Sequence, residues 1–398
     1  MVNVAVLGYG ITGRGIVEVF AGNEESIRKQ ARDVVRIKYI LCDNPPAGGV
    51  GNIIFTDNFD DILNDDEVQI VAEVSGERNP AYEYIIRALL KGKHICTSNK
   101  QVVVQYGSEL IEMAKTHGLN FMFEATVGGG IPIIRAVSQA LVSDRIVEIS
   151  GILNATSNYI MTKMFEFDRS YESAFAEAVL GDFVERKSND DVSGRDAARK
   201  LAILLAIALG KQTDYRKVLT DGIDTIRSID LAFARTFGYI LKPCVHAILT
   251  EDTAFGLSVP MLLPSDFPLA TVNDTYNGII IKSAAAGPLM FYGQGTGKFP
   301  VAAAVISDIV DIAKHLDISN SFPLSRDNAK MLSLDNYASR KMIRAFADSV
   351  KDLDNVNFME LTDYPGQVAW LTDHETEKET HKKLKGIRIE KMIRIFNT

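Results

Sequence analysis

The sequence predicts an α/β protein with a Rossmann-type dinucleotide-binding domain, an α+β substrate and dimerisation domain, and a small C-terminal α+β tail. Three observations support this prediction: a glycine-rich turn follows the first apolar strand, strand and helix patterns alternate after it, and the last part of the chain is more charged. A chain of 398 residues is too long for one ordinary core. The expected domains are 1–145 with 300–322 packing back onto it, then 146–299, then 323–398.

Composition narrows the class of protein and its partners. A formal net charge of -8 argues against a nucleic-acid surface, and no apolar run is long enough to span a bilayer, so we expect a small-molecule substrate. The three cysteines are far apart and odd in number, which is typical of a reducing compartment and predicts a cytoplasmic protein. The histidines and cysteines show no spacing typical of a transition-metal site.

The glycine-rich turn is the first candidate for cofactor binding. Residues 2–7 are predicted to form a buried strand, and G-Y-G-I-T-G follows at once, opening an amphipathic helix. In this context glycines permit the tight turn, the approach of a pyrophosphate to the backbone and close packing of the helix on the strand. A mere tight turn is the less favoured alternative. The predicted cofactor contacts are Gly8, Gly10, Ile11, Thr12 and Gly13.

The end of the second predicted strand bears on cofactor choice. Asp43 stands there and can accept a hydrogen bond from a ribose 2′-hydroxyl while repelling a 2′-phosphate, which favours NAD. It lies further from the glycines than is usual, and Arg14 and Lys38 are cations that would favour NADP. The prediction is therefore NAD(P), with the choice between the two open.

Later strand ends add polar groups to the same edge. A doubly wound sheet binds ligands at the carboxyl ends of its strands, so Ser75, Gly76, Ser98, Asn99 and Lys100 should point into the cofactor crevice. A solvated loop lysine is the common alternative for a single lysine. The position at a predicted strand end favours a functional role.

A second glycine-rich turn, G-G-G-I-P, follows another apolar strand. Its exposed backbone can approach a ligand or an ion. Carbonyl groups around Glu124, Val127, Gly129 and Ile131 offer oxygen ligands of the kind that a hard cation such as Na⁺ takes. Glycine turns of this kind are often only turns.

The stretch from residue 185 to residue 200 carries the charged groups that we predict to be catalytic. Glu185, Asp191, Asp196 and Lys200 precede an apolar segment without a polar face, and such a helix is usually buried, so its first turn should lie at an interior cleft. Asp196 and Lys200 are four residues apart and should share one face. The structural alternative is a capping box formed by Ser193 and Asp196.

A strand followed by a helix is also predicted around residues 145–164. Thr156 or Ser157 is expected to cap that helix, or else to offer backbone N–H groups to a substrate carboxylate.

Five motifs in order resemble homoserine dehydrogenase, over about residues 2 to 320. They are G-K-H-I-C-T-S-N-K, E-A-T-V-G-G-G-I-P-I-I, G-I-L-N-A-T-S-N-Y-I, D-V-S-G-R-D-A-A-R-K-L-A-I-L and F-Y-G-Q-G-T-G-K-F-P-V-A-A-A-V-I-S-D-I. The resemblance implies reversible reduction of L-aspartate 4-semialdehyde to L-homoserine by a nicotinamide cofactor, in threonine, methionine and isoleucine biosynthesis. It also implies a homodimer formed through the sheet of the middle domain.

The resemblance assigns roles to residues. Lys100 and Lys200 would be the catalytic lysines, with Lys200 the proton donor to the aldehyde oxygen. Glu185 and Asp196 would contact the substrate, with Asp191 nearby. Positions matching the family's sodium site are Glu124, Val127, Gly129 and Ile131, and Gly295 stands where the family brings a late loop back to the cofactor.

Departures from the family pattern keep two alternatives open. The family usually has G-Y-A-E-A-D-P at the catalytic glutamate, whereas this chain has D-F-V-E-R-K-S over 182–188. A catalytically silent cofactor or amino-acid sensor is therefore one alternative, although it would have no need of both lysines. Another is an oxidoreductase of the glucose-fructose type, which also has G-K-H before its lysine but continues E-K-P where this chain has S-N-K-Q.

The tail contains L-T-D-Y-P-G-Q-V-A, which is similar to the start of a ligand-binding ACT domain. Only about thirty residues follow, too few for a full β-α-β-β-α-β unit of ordinary element lengths. The alternatives are a truncated or degenerate ACT-like module, a dimerisation extension, and a plain turn.

Overall fold

The computed structural model describes residues 1–76, 78–181, 189–319, 322–351, 353 and 356–397. No helix within these ranges has the length and apolar character needed to cross a bilayer.

The N-terminal part of the chain forms a parallel sheet with helices. Its elements are β1 Val2–Leu7, α1 Ile11–Gly22, α2 Glu24–Ala31, β2 Val35–Leu41, β3 Ile54–Thr56, α3 Phe59–Leu63, β4 Val68–Glu73, α4 Arg78–Leu90, β5 His94–Thr97, α5 Lys100–Thr116, β6 Phe121–Met122 and α6 Ile133–Arg135. The strands pair in the order β3-β2-β1-β4-β5-β6, and every pair is parallel. This is the Rossmann strand order. The strands are added outward in one direction from β1 and in the opposite direction from β4, and the crevice between these two strands is where such a fold binds a dinucleotide. The predicted fold class is confirmed in this part.

The middle part combines helices with a mixed sheet. Its elements are β7 Ile146–Ile152, α7 Ala155–Phe167, α8 Tyr171–Leu180, α9 Arg195–Leu209, β8 Lys211–Gln212, β9 Leu219–Thr220, α10 Ser228–Thr236, β10 Tyr239–Leu249, β11 Thr253–Pro264, β12 Tyr276–Ser283, β13 Gly287–Gln294 and α11 Lys298–Lys314. Helix α11 packs back on α1 so closely that a Cβ atom at Gly15 would lie 2.6 Å from the carbonyl oxygen of Lys298. The late helix thus joins the core of the first sheet.

Most strands of the tail extend the sheet of the middle part, and two short ones, Ala338–Ser339 and Glu375–Thr376, pair with each other. Its elements are β14 Ser325–Asn328, β15 Lys330–Met331, β16 Ala338–Ser339, β17 Lys341–Phe346, β18 Met359–Glu360, β19 Gln367–Leu371, β20 Glu375–Thr376, α12 Glu377–Lys383 and β21 Ile389–Ile395. Strand β21 pairs with β11 of the middle part, so the main path of the second sheet runs β13-β12-β7-β10-β11-β21-β17-β19-β18 in the described residues.

The last four strands of that path are β21, β17, β19 and β18, which are the fourth, first, third and second of the four along the chain. A β-α-β-β-α-β unit arranges its strands in the same order. The four tail strands pair antiparallel throughout. Between β17 and β18 the described residues form a short 3-10 turn, Ala347–Ser349. The connection from β19 to β21 contains the helix α12. An ACT-like function of the tail remains a prediction.

Candidate functional site

Two buried helices begin at the site and carry one lysine each. Asn99 caps α5 by accepting the N–H of Val102 at 3.2 Å, so Lys100 is the first residue of this helix. The sequence analysis had placed Lys100 at the end of a strand, and that prediction is wrong. An asparagine before an apolar periodic segment is a strong helix start, and here it outweighs the preceding strand pattern. Lys200 lies in the second turn of α9, whose residues from Asp196 to Ala206 are mostly buried.

A single carboxylate brings the two lysines together. Asp196 Oδ1 lies 3.0 Å from Lys100 Nζ, and Asp196 Oδ2 lies 3.0 Å from Lys200 Nζ. The Asp196 side chain is 5% exposed, against 29% for Lys100 and 12% for Lys200. Burial alone would raise the pKa of Asp196, but the ammonium groups of Lys200 and Lys100 and the amide of Asn154 hold it well below its usual range. The carboxylate therefore stays ionised between two cations.

Backbone and amide groups complete this cluster. Lys200 Nζ also donates to the carbonyl oxygen of Leu153 at 2.8 Å. Asn154 Nδ2 donates to Asp196 Oδ2 at 2.9 Å and to Asp191 Oδ1 at 2.8 Å. The turn before α7 thus connects both acids with one of the lysines.

Both capping predictions near the site are wrong. Gly194, with φ of +79°, precedes α9, and no side chain caps this helix, so Ser193 and Asp196 form no capping box. A Cβ atom at Gly194 would lie 2.9 Å from the carbonyl oxygen of Ser258, which leaves room only for glycine. Helix α7 is capped by Asn154 and not by Thr156 or Ser157.

A cavity of about 250 Å³ opens beside the lysines. Nine residues that the sequence analysis singled out line it together, although they are far apart in the sequence. They are Thr12, Gly76, Ser98, Asn99, Lys100, Val127, Gly129, Lys200 and Gly295. Residues that the sequence analysis did not single out also line it: Gln101, Ala125, Thr126, Thr296 and Val301. Asp191 does not reach this cavity and lines a smaller one next to it.

The glycine-rich turn has the geometry that a pyrophosphate requires. Gly8 adopts φ of +110°, and a Cβ atom at Gly13 would lie 2.1 Å from the carbonyl oxygen of Gly8. Gly10 precedes α1 without a side-chain cap, so the first N–H groups of this helix, from Ile11 onward, face the turn. These residues fit a bound dinucleotide.

Two of the predicted cofactor contacts lie at the edge of this arrangement. Asp43 is exposed two residues beyond the end of β2. Ser75 donates both its N–H and its hydroxyl to Glu73 Oε1, at 2.8 and 2.6 Å. Burial raises the pKa of Glu73, which the sequence analysis did not single out. Of the cations that would favour NADP, Lys38 is held by Asp65 and Glu67, whereas Arg14 is exposed.

The candidate sodium residues surround one buried turn. Both Glu124 carboxylate oxygens accept backbone N–H groups, from Ile134 at 2.8 Å and from Arg135 at 2.9 Å, and burial raises the pKa of Glu124. The carbonyl oxygen of Ile131 accepts the N–H of Ile133 at 2.8 Å. Gly129 has φ of +62° and packs against Gly295. The Glu124 carboxylate is thus engaged with the start of the following helix, and the oxygen ligands that this turn can offer a sodium ion are main-chain carbonyl groups.

Glu185 lies outside the described residues, as does the whole departure over 182–188.

The sequence is similar to that of a known enzyme family. The sequence model for homoserine dehydrogenase matches residues 132–310, and that for the homoserine dehydrogenase NAD-binding domain matches residues 8–124. The homoserine dehydrogenase of Bacillus subtilis is 35% identical over 348 residues, which is 85% of this chain and 80% of that protein. The chain belongs to the homoserine dehydrogenase family.

Solved structures agree with this membership. The crystal structure of a homoserine dehydrogenase from Thiobacillus denitrificans has a TM-score of 0.90 and 29% identity, covering 100% of this chain and 98% of that one. Staphylococcus aureus homoserine dehydrogenase has a TM-score of 0.80 and 26% identity, covering 100% and 99%. As a member of this family, the protein is an oxidoreductase that interconverts L-aspartate 4-semialdehyde and L-homoserine with a nicotinamide cofactor, a step of amino-acid biosynthesis. Family membership favours homoserine dehydrogenase activity over both the silent sensor and the oxidoreductase of the glucose-fructose type.

Proposed function

We propose that Lys200 is the proton donor to the aldehyde oxygen, and that Lys100 is the second cation of the site. The observation that carries this proposal is the Asp196 carboxylate, which holds both ammonium groups at 3.0 Å. An ammonium group has three N–H donors. Two of those of Lys200 reach Asp196 and the carbonyl of Leu153, and because its side chain lines the cavity, the third is available to a substrate oxygen.

The proposed reaction follows from this arrangement. The nicotinamide, when bound, supplies the hydride for reduction and accepts it in the reverse direction. As the carbonyl carbon of the aldehyde gains the hydride, its oxygen gains negative charge, which the Lys200 ammonium stabilises and then neutralises by giving up a proton. In the reverse direction, the neutral Lys200 amine takes the hydroxyl proton of homoserine. Lys100, paired with Asp196, adds positive charge beside the developing oxyanion.

The acids divide into two proposed roles. Asp196 is occupied by two lysines and an amide, which favours a role in holding the lysines over direct substrate contact. Glu185 is proposed, by the resemblance, to bind the substrate ammonium group, with Asp191 held beside Asp196 through Asn154. A carboxylate is the natural partner for that cation.

The test is homoserine-dependent formation of reduced nicotinamide, followed by absorbance with NAD and NADP separately. Lys200→Ala should lower kcat by at least about 10²-fold, the low end for losing a general acid. The control is Lys29→Ala, which should leave kcat unchanged because the side chain of Lys29, on α2, is 68% exposed. Equal turnover in wild type and Lys200→Ala would remove Lys200 from the mechanism.

Cofactor choice is proposed to depend on Asp43 and Arg14. Asp43 is the exposed acid beyond β2, and Arg14 is an exposed cation in α1 next to the glycine turn. Lys38 is held by two acids, which argues against its binding a 2′-phosphate. A sodium ion is proposed at the main-chain oxygens of the turn that contains Val127, Gly129 and Ile131, where it would fix the loop beside the cofactor.

We also propose that 1–145 with 300–322 binds the cofactor and that 146–299 binds the substrate and dimerises. In support, β13 is an edge strand whose Leu289, Met290 and Tyr292 side chains are all exposed. Three apolar side chains on one edge strand are suited to burial against a second copy. The three cysteines are free, which suits the proposed cytoplasmic location.

A further inference from the structure

Asn154 occupies a position that no family role assigned above explains. It is 4% exposed and stands between β7 and α7. Its side-chain oxygen accepts the N–H of Ser157 at 2.7 Å and so caps α7. Its amide nitrogen donates one hydrogen bond to Asp196 and another to Asp191. One side chain therefore fixes a helix end and two acids of the site.

The cap fixes the orientation of the amide. Because the oxygen must face the N–H of Ser157, the NH₂ group must face the two carboxylates. Serine, threonine and aspartate also cap helices well, but none of them offers two donors in this geometry. The choice of asparagine over the other capping residues is therefore explained by the carboxylates and not by the helix.

The same turn reaches Lys200 from two sides. Leu153, the residue before Asn154, supplies the carbonyl oxygen that lies 2.8 Å from Lys200 Nζ. Asn154 itself holds Asp196 Oδ2, the other acceptor of that ammonium group. Displacement of this turn would move one acceptor of Lys200 and remove a hydrogen bond from the other.

We propose that Asn154 is a positioning residue for proton transfer, which fixes Asp196 and through it the ammonium groups of Lys200 and Lys100. The inference rests on the proposed role of Lys200 as proton donor. Asn154 also reduces the repulsion between Asp191 and Asp196, because one polarised NH₂ group lies between the two carboxylates.

The first test is Asn154→Ser, which keeps a capping oxygen and removes the paired donors. A hydrogen bond to a charged group corresponds to roughly tenfold to a hundredfold in rate, so kcat should fall by about that factor while KM for the cofactor stays unchanged. The control is Asn58→Ser, since Asn58 is an exposed cap of α3 that accepts the N–H of Asp60. This control should leave both constants unchanged.

The second test is the pH profile of Asn154→Asp. An ionised carboxylate at this position caps α7, and the helix N-terminus stabilises it, but it repels Asp191 and Asp196. The other charged groups that face it are Lys200 of α9 and Lys100 of α5, both through Asp196. When protonated, the new carboxyl donates an O–H to one of the acids. The ratio of variant to wild-type kcat should therefore rise as the pH falls.

The outcomes separate this inference from the proposed function. If Lys200→Ala abolishes turnover while Asn154→Ser keeps kcat within about twofold of wild type, Asn154 does not position the lysines, and the role of Lys200 stands. If Lys200→Ala is fully active, the proposed function fails. A pH-independent ratio for Asn154→Asp, or loss of the folded state in both capped variants, would make Asn154 a structural residue only.

Discussion

At the scale of single residues, Asp196 is shared between two cations, and this sharing determines which substitutions the site can tolerate. Two ammonium groups confined at one cavity repel each other, and the repulsion is strong where water is scarce. The buried Asp196 carboxylate contacts both ammonium groups and offsets this repulsion. Because its side chain is only 5% exposed, the carboxylate in turn needs both cations in order to stay ionised. Each of the three charged groups is therefore costly to remove alone.

Asp43 gives the residue-scale prediction for cofactor choice. Asp43→Ala should raise KM for NAD more than KM for NADP, because the variant loses an acceptor for the ribose 2′-hydroxyl and also loses the repulsion of a 2′-phosphate. Initial rates with each cofactor at saturating homoserine measure the two constants. Asp57→Ala, which removes another exposed acid of the same domain, is the control. Equal effects on NAD and NADP would take Asp43 out of cofactor recognition.

Residue identity predicted some of the site and missed the rest for a physical reason. Asp196 and Lys200 were predicted from charge before an apolar helix and Lys100 from its position at a predicted strand end, and the structure brings the three together. Asn154 was missed because Thr156 and Ser157 are equally good caps by local pattern. Its hydrogen bonds to Asp191 and Asp196 depend on how β7 and α9 approach each other, which no local spacing reports.

At the scale of elements, the turn between β1 and α1 depends on backbone contact. Gly13→Ala should weaken NAD(P) binding by at least about tenfold, because its Cβ atom would lie 2.1 Å from the Gly8 carbonyl oxygen and the turn must shift away from the pyrophosphate. Calorimetric titration of the cofactor measures this loss. Gly22→Ala is the matched control in the same helix: no atom lies within 4 Å of its Cβ position, so it should bind normally and gain up to about 1 kcal/mol of stability. Normal binding by Gly13→Ala would contradict the role of this turn.

Element boundaries were predictable only where one local signal dominated. The strand, glycine turn and helix at the N-terminus reinforce one another, and the structure has them as predicted. The segment before Lys100 carried a strand pattern and a helix start at once, and the cap at Asn99 determined where the helix begins. Gly194 was not singled out from the sequence, because the need for glycine there depends on Ser258, which is distant in sequence.

At the scale of the whole molecule, the tail completes a sheet that begins nearly two hundred residues earlier. Met261 and Leu262 of β11 are in register with Arg394 and Ile395 of β21. Parallel pairing between segments so far apart leaves no signal in either segment, so the sequence predicted strands in the tail but not their partner. The buried cluster around Ile393 accordingly combines the tail with the middle part, including Leu241, Leu262 and Met342.

This shared core predicts that the tail and the middle domain unfold together. Ile393 is 2% exposed, and Ile393→Ala should lower the free energy of unfolding by about 2–5 kcal/mol. Trp370, the single tryptophan of the chain, lies in β19, so its fluorescence reports the tail while circular dichroism reports the whole molecule. In urea both signals should change at the same concentration, and Ile393→Ala should shift both equally. Ile318→Ala, at a 64% exposed site, should shift neither by more than about 0.5 kcal/mol. A tryptophan transition that precedes the circular dichroism transition would identify the tail as an independent module, in which the cluster of Ile343, Val368 and Trp370 unfolds while the rest of the molecule stays folded.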